Sequence, residues 1–328
     1  MIDPEVLKII EHFANIKKIE DSQYSKSNYN PVNNKKYCTN CYEKYMVDRC
    51  HHCNKKLGKY YTVNNKKYCT NCYEKYIVER CNVCNKPLIE GYLYNKNGKY
   101  CYDCDKKYNH CSNCNLPVKY IGFKDDDFIL CQKCSKYKII KIEDLKALYY
   151  KVKYYAQKSC GINAPIKKAV LLSSAELKRE TQNIIYSADQ RPRGYCSTTY
   201  KYNYRYTSII DEKQVHIIYV QNGMPYNMAF QTLAHEYGHA WEHQNKNKQI
   251  INQPSNNIFT EGFARWVEYY TIKEYGLKEE AELLIRNAKD KNKCDPVYGL
   301  GLKKMMKLEK KLGSKHAVLE YVKNHNDF

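Results

Sequence analysis

Seventeen cysteines occur in this 328-residue chain, and fourteen of them form seven C-x-x-C pairs between positions 38 and 134. That spacing constrains the fold more than any other feature of the sequence. Two thiols three residues apart make a knuckle that grips a metal ion from one side, and two knuckles close a tetrahedron around it. Disulfides are the competing use of so many cysteines. The paired spacing argues against them, and so does a Met1-Ile-Asp-Pro-Glu5 start without the basic and apolar run of a secretion signal. Both point to a reducing, cytoplasmic setting. The isolated Cys160, Cys196 and Cys294 read as buried free thiols.

The pairs belong to an internal repeat with a period of about 31 residues. Residues 32–45 recur identically at 63–76. Two pairings of knuckles are open. One spans the longer gaps 54–68, 85–100 and 115–130. It joins Cys50 and Cys53 to Cys69 and Cys72, Cys81 and Cys84 to Cys101 and Cys104, and Cys111 and Cys114 to Cys131 and Cys134. The other uses the shorter gaps 42–49, 73–80 and 105–110. The longer spacing leaves room for a β-hairpin, as in residues 88–100 with an Asn97-Gly98 turn signal. The second knuckle then opens a short helix, as at residues 72–76. This pattern predicts three treble-clef-like four-cysteine fingers, each closed around a structural Zn2+ with no open coordination position. Cys38 and Cys41 are left over. The repeat places their partners near Ile19 and Ser22, which are poor zinc ligands, so residues 20–45 read as a degenerate half-finger without its metal.

A different chemistry is written in Ala234-His-Glu-Tyr-Gly-His-Ala-Trp241. His235 and His239 are four residues apart, so on a helix both imidazoles reach one metal ion. Glu236 stands beside them as a carboxylate able to take a proton from an attacking water. The preceding run 215–220 is rich in β-branched residues and reads as a buried strand, broken at Asn222 and Gly223. Pro225 suits a helix start. Phe230, Leu233, Ala234, Tyr237 and Trp241 then recur at helical spacing as a core stripe. A catalytic zinc keeps three protein ligands and one open position. Glu261, opening a second apolar-striped helix with Phe263, Trp266, Val267 and Tyr270, is the third candidate. Strand, H-E-x-x-H helix, loop and Glu-bearing helix is a zincin-like layout of the gluzincin type. His243 reads as a surface or supporting residue rather than a ligand.

Elsewhere the pattern is mixed helix and strand. Val6, Ile9, Ile10, Phe13 and Ile16 mark an amphipathic N-terminal helix capped by Asp3. Residues 139–156 read as a connecting helix and 168–172 as a strand. Ser173 and Glu176 form a capping box. Residues 195–210 and 215–220 make an antiparallel pair joined at 211–214, and 244–257 is a polar, Asn-rich loop. No stretch is apolar enough to span a membrane. The formal charge of +20 falls to about +16 once thiolate and histidine metal sites are counted. Lysine dominates arginine, and Asn, Tyr and Ile are abundant. That bias reads as AT-rich coding, so nucleic acid is not an expected partner.

Two resemblances follow from these motifs. The finger pattern C-x-x-C-x-K-P-L, then Gly, Tyr and Gly-Lys-Tyr-Cys-x-x-Cys, resembles the second half of LIM domains. The two-residue spacer between LIM halves is missing, so the fingers are LIM-like. The C-terminal half resembles the plant DA-one family of ubiquitin-activated LIM-domain metallopeptidases. The similar segments are Gly194-Tyr-Cys-Ser197, Leu233 to Trp241, Glu261-Gly262 and Val297-Tyr-Gly-Leu-Gly301, and the likeness covers roughly residues 80–310. It implies a zinc endopeptidase acting on protein substrates under control of ubiquitin. His235, His239 and Glu261 match the family's metal positions, and Glu236 its catalytic glutamate. No acidic ubiquitin-interacting helix stands at the N-terminus, where plant members carry them, so ubiquitin would have to be met by the fingers.

The sequence thus predicts an α+β protein with four parts. These are an N-terminal helix and linker (1–30), tandem LIM-like fingers (31–137), a connecting helix (138–160) and a zincin-like metallopeptidase domain (161–328). One catalytic and about three structural Zn2+ ions are expected. Tyr298 is the candidate donor to a reaction oxyanion. The rival expectation is a zinc-finger adaptor with a vestigial peptidase domain.

Overall fold

The computed structural model describes residues 29–32, 35–89, 91–182, 193–205, 208–247, 250, 256–290 and 292–328. The expected N-terminal helix lies outside them, as does half of the loop 244–257. The chain is mixed α+β and divides into two compact units, the first ending at Arg80 apart from a short return at 86–90.

In the first unit, strands β1 (Tyr29–Val32) and β2 (Lys35–Cys38) form one hairpin, and β3 (Tyr60–Val63) and β4 (Lys66–Cys69) another. Asn64 and Asn65 turn the second hairpin, both at positive φ, as a tight two-residue connection between right-twisted strands demands. After each hairpin the chain enters a helical turn with a cysteine at its N-cap, Cys38 before Thr39–Cys41 and Cys69 before Thr70–Cys72.

The second unit begins with the next two fingers. Their hairpins are β5 (Leu93–Asn95) with β6 (Gly98–Tyr100), and β7 (Ile121–Asp125) with β8 (Phe128–Cys131). Helices α1 (Tyr102–Lys107) and α2 (Gln132–Ser135) follow. The first of these hairpins corrects the expected turn. Asn95 pairs with Gly98, so Lys96 and Asn97 make the bend and Gly98 opens β6 against the Asn82 side chain.

Helix α3 (Ile142–Cys160) buries Leu145, Leu148, Val152, Ala156 and Cys160 on one face and ends at Gly161, whose φ of +75° suits the left-handed C-cap. Strand β9 (Ile166–Leu172) leads to α4 (Ser174–Glu180), opened by the expected Ser173–Glu176 capping box. Strands β10 (Gly194–Arg205) and β11 (Ser208–Gln221) complete a sheet in the order β10-β11-β9, with β10 antiparallel and β9 parallel to β11. The expected connection at 211–214 is wrong: Asp211 pairs with Asn203, and Gln214 with Tyr200, inside the ladder. Charge alone does not bend a chain, and no Gly or Pro stands at 211–214 to do so.

Helix α5 (Tyr226–Asn245) lies on this sheet and carries the whole expected stripe inward, with Phe230, Leu233, Ala234 and Tyr237 at zero exposure. Each large side chain so buried contributes roughly 1.5–3 kcal/mol. Helices α6 (Asn257–Tyr275), α7 (Lys278–Lys289), α8 (Tyr298–Leu312) and α9 (Lys315–Asn324) finish the unit. Helix α6 starts a turn earlier than expected, because the Asn256 side chain accepts the Ile258 N–H and caps it there. Glu261 therefore sits one turn inside the helix. Small residues let the helices close: Gly238 of α5 faces Ala264 of α6, and Gly262 of α6 meets Gly301 of α8 backbone to backbone. Among the described residues no helix is long and apolar enough to cross a membrane.

The third finger shares the core of the second unit. Val118, Phe128, Ile129 and Leu130 belong to the same buried cluster as Phe230 and Trp266. The Phe123 ring fills the space that a Cβ at Gly223 would need. Backbone bonds from Ile139 to Met224, Gly223 to Ile139 and Tyr226 to Tyr137 zip the finger's exit onto the turn ahead of α5.

Candidate metal centre

Among the described residues, four side-chain groups bring ligand atoms together at metal-binding distances. Three are thiol clusters: Cys50, Cys53, Cys69 and Cys72; Cys81, Cys84, Cys101 and Cys104; Cys111, Cys114, Cys131 and Cys134. The longer of the two knuckle spacings is thus the one adopted. The first knuckle of each finger ends on an asparagine with positive φ (Asn54, Asn85 or Asn115), which turns the second thiol back beside the first. The closing knuckle puts its leading cysteine at a helix N-cap. Sulfur separations across the knuckles are 3.8 Å for Cys53–Cys69, Cys81–Cys104 and Cys84–Cys101, and 3.9 Å for Cys114–Cys131. A tetrahedron with Zn–S bonds of about 2.3 Å has edges of about 3.8 Å. A disulfide would need about 2.05 Å, and no disulfide joins any of the seventeen cysteines. The three clusters therefore fit metal ions, with zinc compatible in size.

The fourth group is His235, His239 and Glu261. Helix α5 supplies the two imidazoles from one face, and α6 supplies the carboxylate. His235 Nε2 lies 3.0 Å from Glu261 Oε2 and 3.2 Å from His239 Nε2, and His239 Nε2 lies 3.4 Å from the same carboxylate oxygen. Bonds of about 2.0 Å to a tetrahedral ion give ligand edges of about 3.3 Å, so this triangle is one face of such a tetrahedron. Two Nε2 atoms 3.2 Å apart must share either a proton or a metal ion, and the Glu261 carboxylate beside them favours positive charge there. Burial disfavours a charged His235, yet Glu261 and Glu268 raise its pKa to about 9. Burial likewise opposes ionisation of Glu261, but His239 and His235 hold its carboxyl far below the usual range.

Both ring nitrogens of His235 face carboxylates of one helix, α6. Its Nδ1 lies 3.3 Å from Glu268 Oε2, close but off the line of a good hydrogen bond. Glu268 is 1% exposed and takes a 2.7 Å bond from Arg265 Nη1. Burial would neutralise Glu268; Arg265 and His235 keep it ionised. Such a carboxylate fixes the tautomer that leaves Nε2 free for a metal. Sequence reasoning missed Glu268 and Arg265. The signal was present: Arg265 and Glu268 follow Glu261 at one and two turns, so all three charged side chains share one face of α6, opposite the apolar stripe.

Glu236 is 7% exposed and sits at the end of β10, with its Oε1 3.1 Å from the position a Gly194 Cβ would take. Burial raises its pKa, while His235 and His239 pull the other way and the Cys196 N–H also favours the charged form. Tyr298, the first residue of α8, has its ring 5.9 Å from that of His235 and stacks under the Arg265 guanidinium at 4.9 Å. Burial and the nearby Glu261 raise its pKa, so the phenol keeps its proton. His243 is not part of the ligand triangle. Cys160 and Cys196 are buried thiols, whereas Cys294 is only half-buried, because it sits in the turn between α7 and α8 beside Gly299.

No family model matches this chain, and no curated protein matches it.

Proposed function

We propose that the chain is a zinc-dependent endopeptidase of gluzincin type that cleaves protein substrates, with LIM-like fingers serving regulation or partner binding. The observation that carries this reading is the His235–His239–Glu261 triangle beside the buried carboxylate of Glu236. A zinc ion held by those three residues would supply Lewis acidity and one open coordination position.

The chain's own groups supply the rest. Glu236 takes a proton from the attacking water and returns it to the leaving amine; its upward-shifted pKa suits both halves of that task. The phenol of Tyr298, kept protonated, donates to the oxyanion. Glu268 holds the His235 ring in register with Glu261. Strand β10 lies at the edge of its sheet and begins beside Glu236, so a substrate chain would add to it in extended form. The resemblance to the plant DA-one peptidases supports the same reading and suggests ubiquitin or ubiquitinated proteins as partners of the fingers.

The test is Glu236→Gln. General-base catalysis contributes about 10²–10⁴-fold, so cleavage should fall by that factor while metal content stays at about four ions per chain. Substrates are found by comparing cleaved proteins between wild type and this variant, with and without ubiquitin. Undiminished cleavage would refute the role of Glu236. A chain binding three ions would favour an adaptor with a vestigial peptidase domain.

A further inference from the structure

The carboxylate of Glu236 rests on backbone. At Gly194 a Cβ would stand 3.1 Å from both Cγ and Oε1 of Glu236 and 2.3 Å from Thr232 Cγ2, so α5 packs directly on the main chain that opens β10. We propose that the third finger is the brace that positions Glu236, because its hairpin tip and its first knuckle together hold the residue just ahead of Gly194. The brace rests on contacts alone; its consequence for cleavage rests on the peptidase reading.

Two routes run from the finger to that point. The first is polar and starts in strand β7. Asp125 Oδ2 accepts the Ser174 N–H at 2.8 Å, and the Ser174 hydroxyl donates to the Asp125 carbonyl at 3.1 Å. The same hydroxyl accepts from Gln221 Nε2 at 2.7 Å. Gln221 is 6% exposed, and its N–H donates to the Arg193 carbonyl at 2.9 Å. That bond carries the β10–β11 ladder one residue past Gly194.

The second route is the Arg193 side chain. Its Nη1 donates to the Ser112 carbonyl at 3.4 Å and lies 2.8 Å from Met228 Sδ of α5, and the guanidinium stands 5.2 Å above the Phe128 ring. Ser112 sits inside the Cys111–Cys114 knuckle, and Phe128 opens the strand that ends at Cys131. Knuckle and strand are tied to each other. The Ser112 N–H donates to the Ile129 carbonyl at 2.7 Å, the Ile129 N–H to Ser112 Oγ at 3.0 Å, and the Cys131 N–H to Cys111 Sγ at 3.4 Å. A four-cysteine finger takes its shape from its metal. Emptying the third cluster therefore slackens both routes at once, although that cluster supplies no ligand to the histidine centre. Asp125, Ser174 and Gln221 are positioning residues that act through Glu236.

The experiment is hydrogen–deuterium exchange on the zinc-loaded full chain, with cleavage rates measured beside it. Ser174→Ala cuts the polar route and leaves every cysteine in place. It should bind about four ions, as wild type does. Exchange of the 194–198 amides should speed up about 2–10-fold, as the loss of one hydrogen bond would cause. Cleavage should slow, by up to about 10²-fold for a misplacement near 1 Å. Ser174→Thr keeps the hydroxyl and should restore both readings. The Cys111→Ser, Cys114→Ser double variant should lose one ion and loosen the same amides. The Cys50→Ser, Cys53→Ser double variant should also lose one ion and leave those amides as they were. Unchanged exchange at 194–198 in Ser174→Ala or in the third-finger variant overturns the brace. So does an equal rise throughout α5 and α6, which would mean a plain loss of stability. Loosened amides with undiminished cleavage would sink the link to Glu236. A wild type that cuts nothing counts against the peptidase reading alone, since exchange reads the brace without any substrate.

Discussion

Gly262 of α6 and Gly301 of α8 cross so closely that a methyl group on Gly262 would stand 2.7 Å from the Gly301 carbonyl carbon and oxygen. Backbone cannot swing aside as a side chain can. Gly262→Ala should therefore sit at or above the upper end of the usual cost of overpacking, about 1–3 kcal/mol, read from the midpoint of urea unfolding. The crossing also sets the site, since Glu261 precedes one glycine and Tyr298 lies one turn ahead of the other. Partial loss of metal from the histidine centre should accompany the loss of stability.

Glu268→Gln tests the support of His235 separately from the chemistry. The amide keeps the volume and an acceptor but removes the charge beside Nδ1. Metal affinity at the histidine centre should fall about 10–100-fold, measured by competition with a chromogenic chelator. The three thiol clusters should bind as before. Unchanged affinity would reduce Glu268 to a structural partner of Arg265.

Tyr237 occupies one of the two variable positions of the H-E-x-x-H motif, yet it points away from the metal. Its hydroxyl accepts the buried Ala164 N–H at 2.8 Å. Tyr237→Phe leaves that donor unsatisfied and should cost about 1–3 kcal/mol in an unfolding experiment, with the metal content of the protein unaltered.

All three fingers should lose metal on acidification. Burial disfavours a Cys50 thiolate, but the N–H groups of Cys53, Cys69 and His52 outweigh it and bring the thiol to about 6. Cys81 reaches about 6 against burial in the same way, through Cys101, Cys84 and Val83. In the same clusters burial pushes Cys72 and Cys104 up, so a neutral thiol is the stable form there without a metal. A depressed thiol keeps its charge until the pH drops through its folded value, and protonation then competes with the metal. Release should thus be complete once the pH has fallen below that value. Zinc release against pH, followed with a chromogenic chelator, checks it, and thiol clusters that keep their metal well below that pH would refute it.

The local rules were legible in the sequence where a residue acts on its near neighbours. The Ser173–Glu176 box, the apolar stripe of α5 and the pairing of knuckles across the longer gaps all follow from spacing and side-chain type. The β10–β11 turn was misplaced because Asp211 to Gln214 looked like a loop by polarity, while the ladder that absorbs them depends on partners in the preceding strand. Glu268 was hidden for a related reason. A buried charge is explained by what it faces, and His235 comes from a different helix. The seat of Phe123 against Gly223 joins residues a hundred positions apart, and no local pattern announces it.

That seat bears on how such a chain can change over generations. The identical stretches 32–45 and 63–76 both lie in the first unit and record the copying of a whole repeat there. The finger carrying Phe123 is not free to be copied or lost in that way. It forms one wall of the room in which α5 stands, so its removal would strip cover from the helix that bears both histidines.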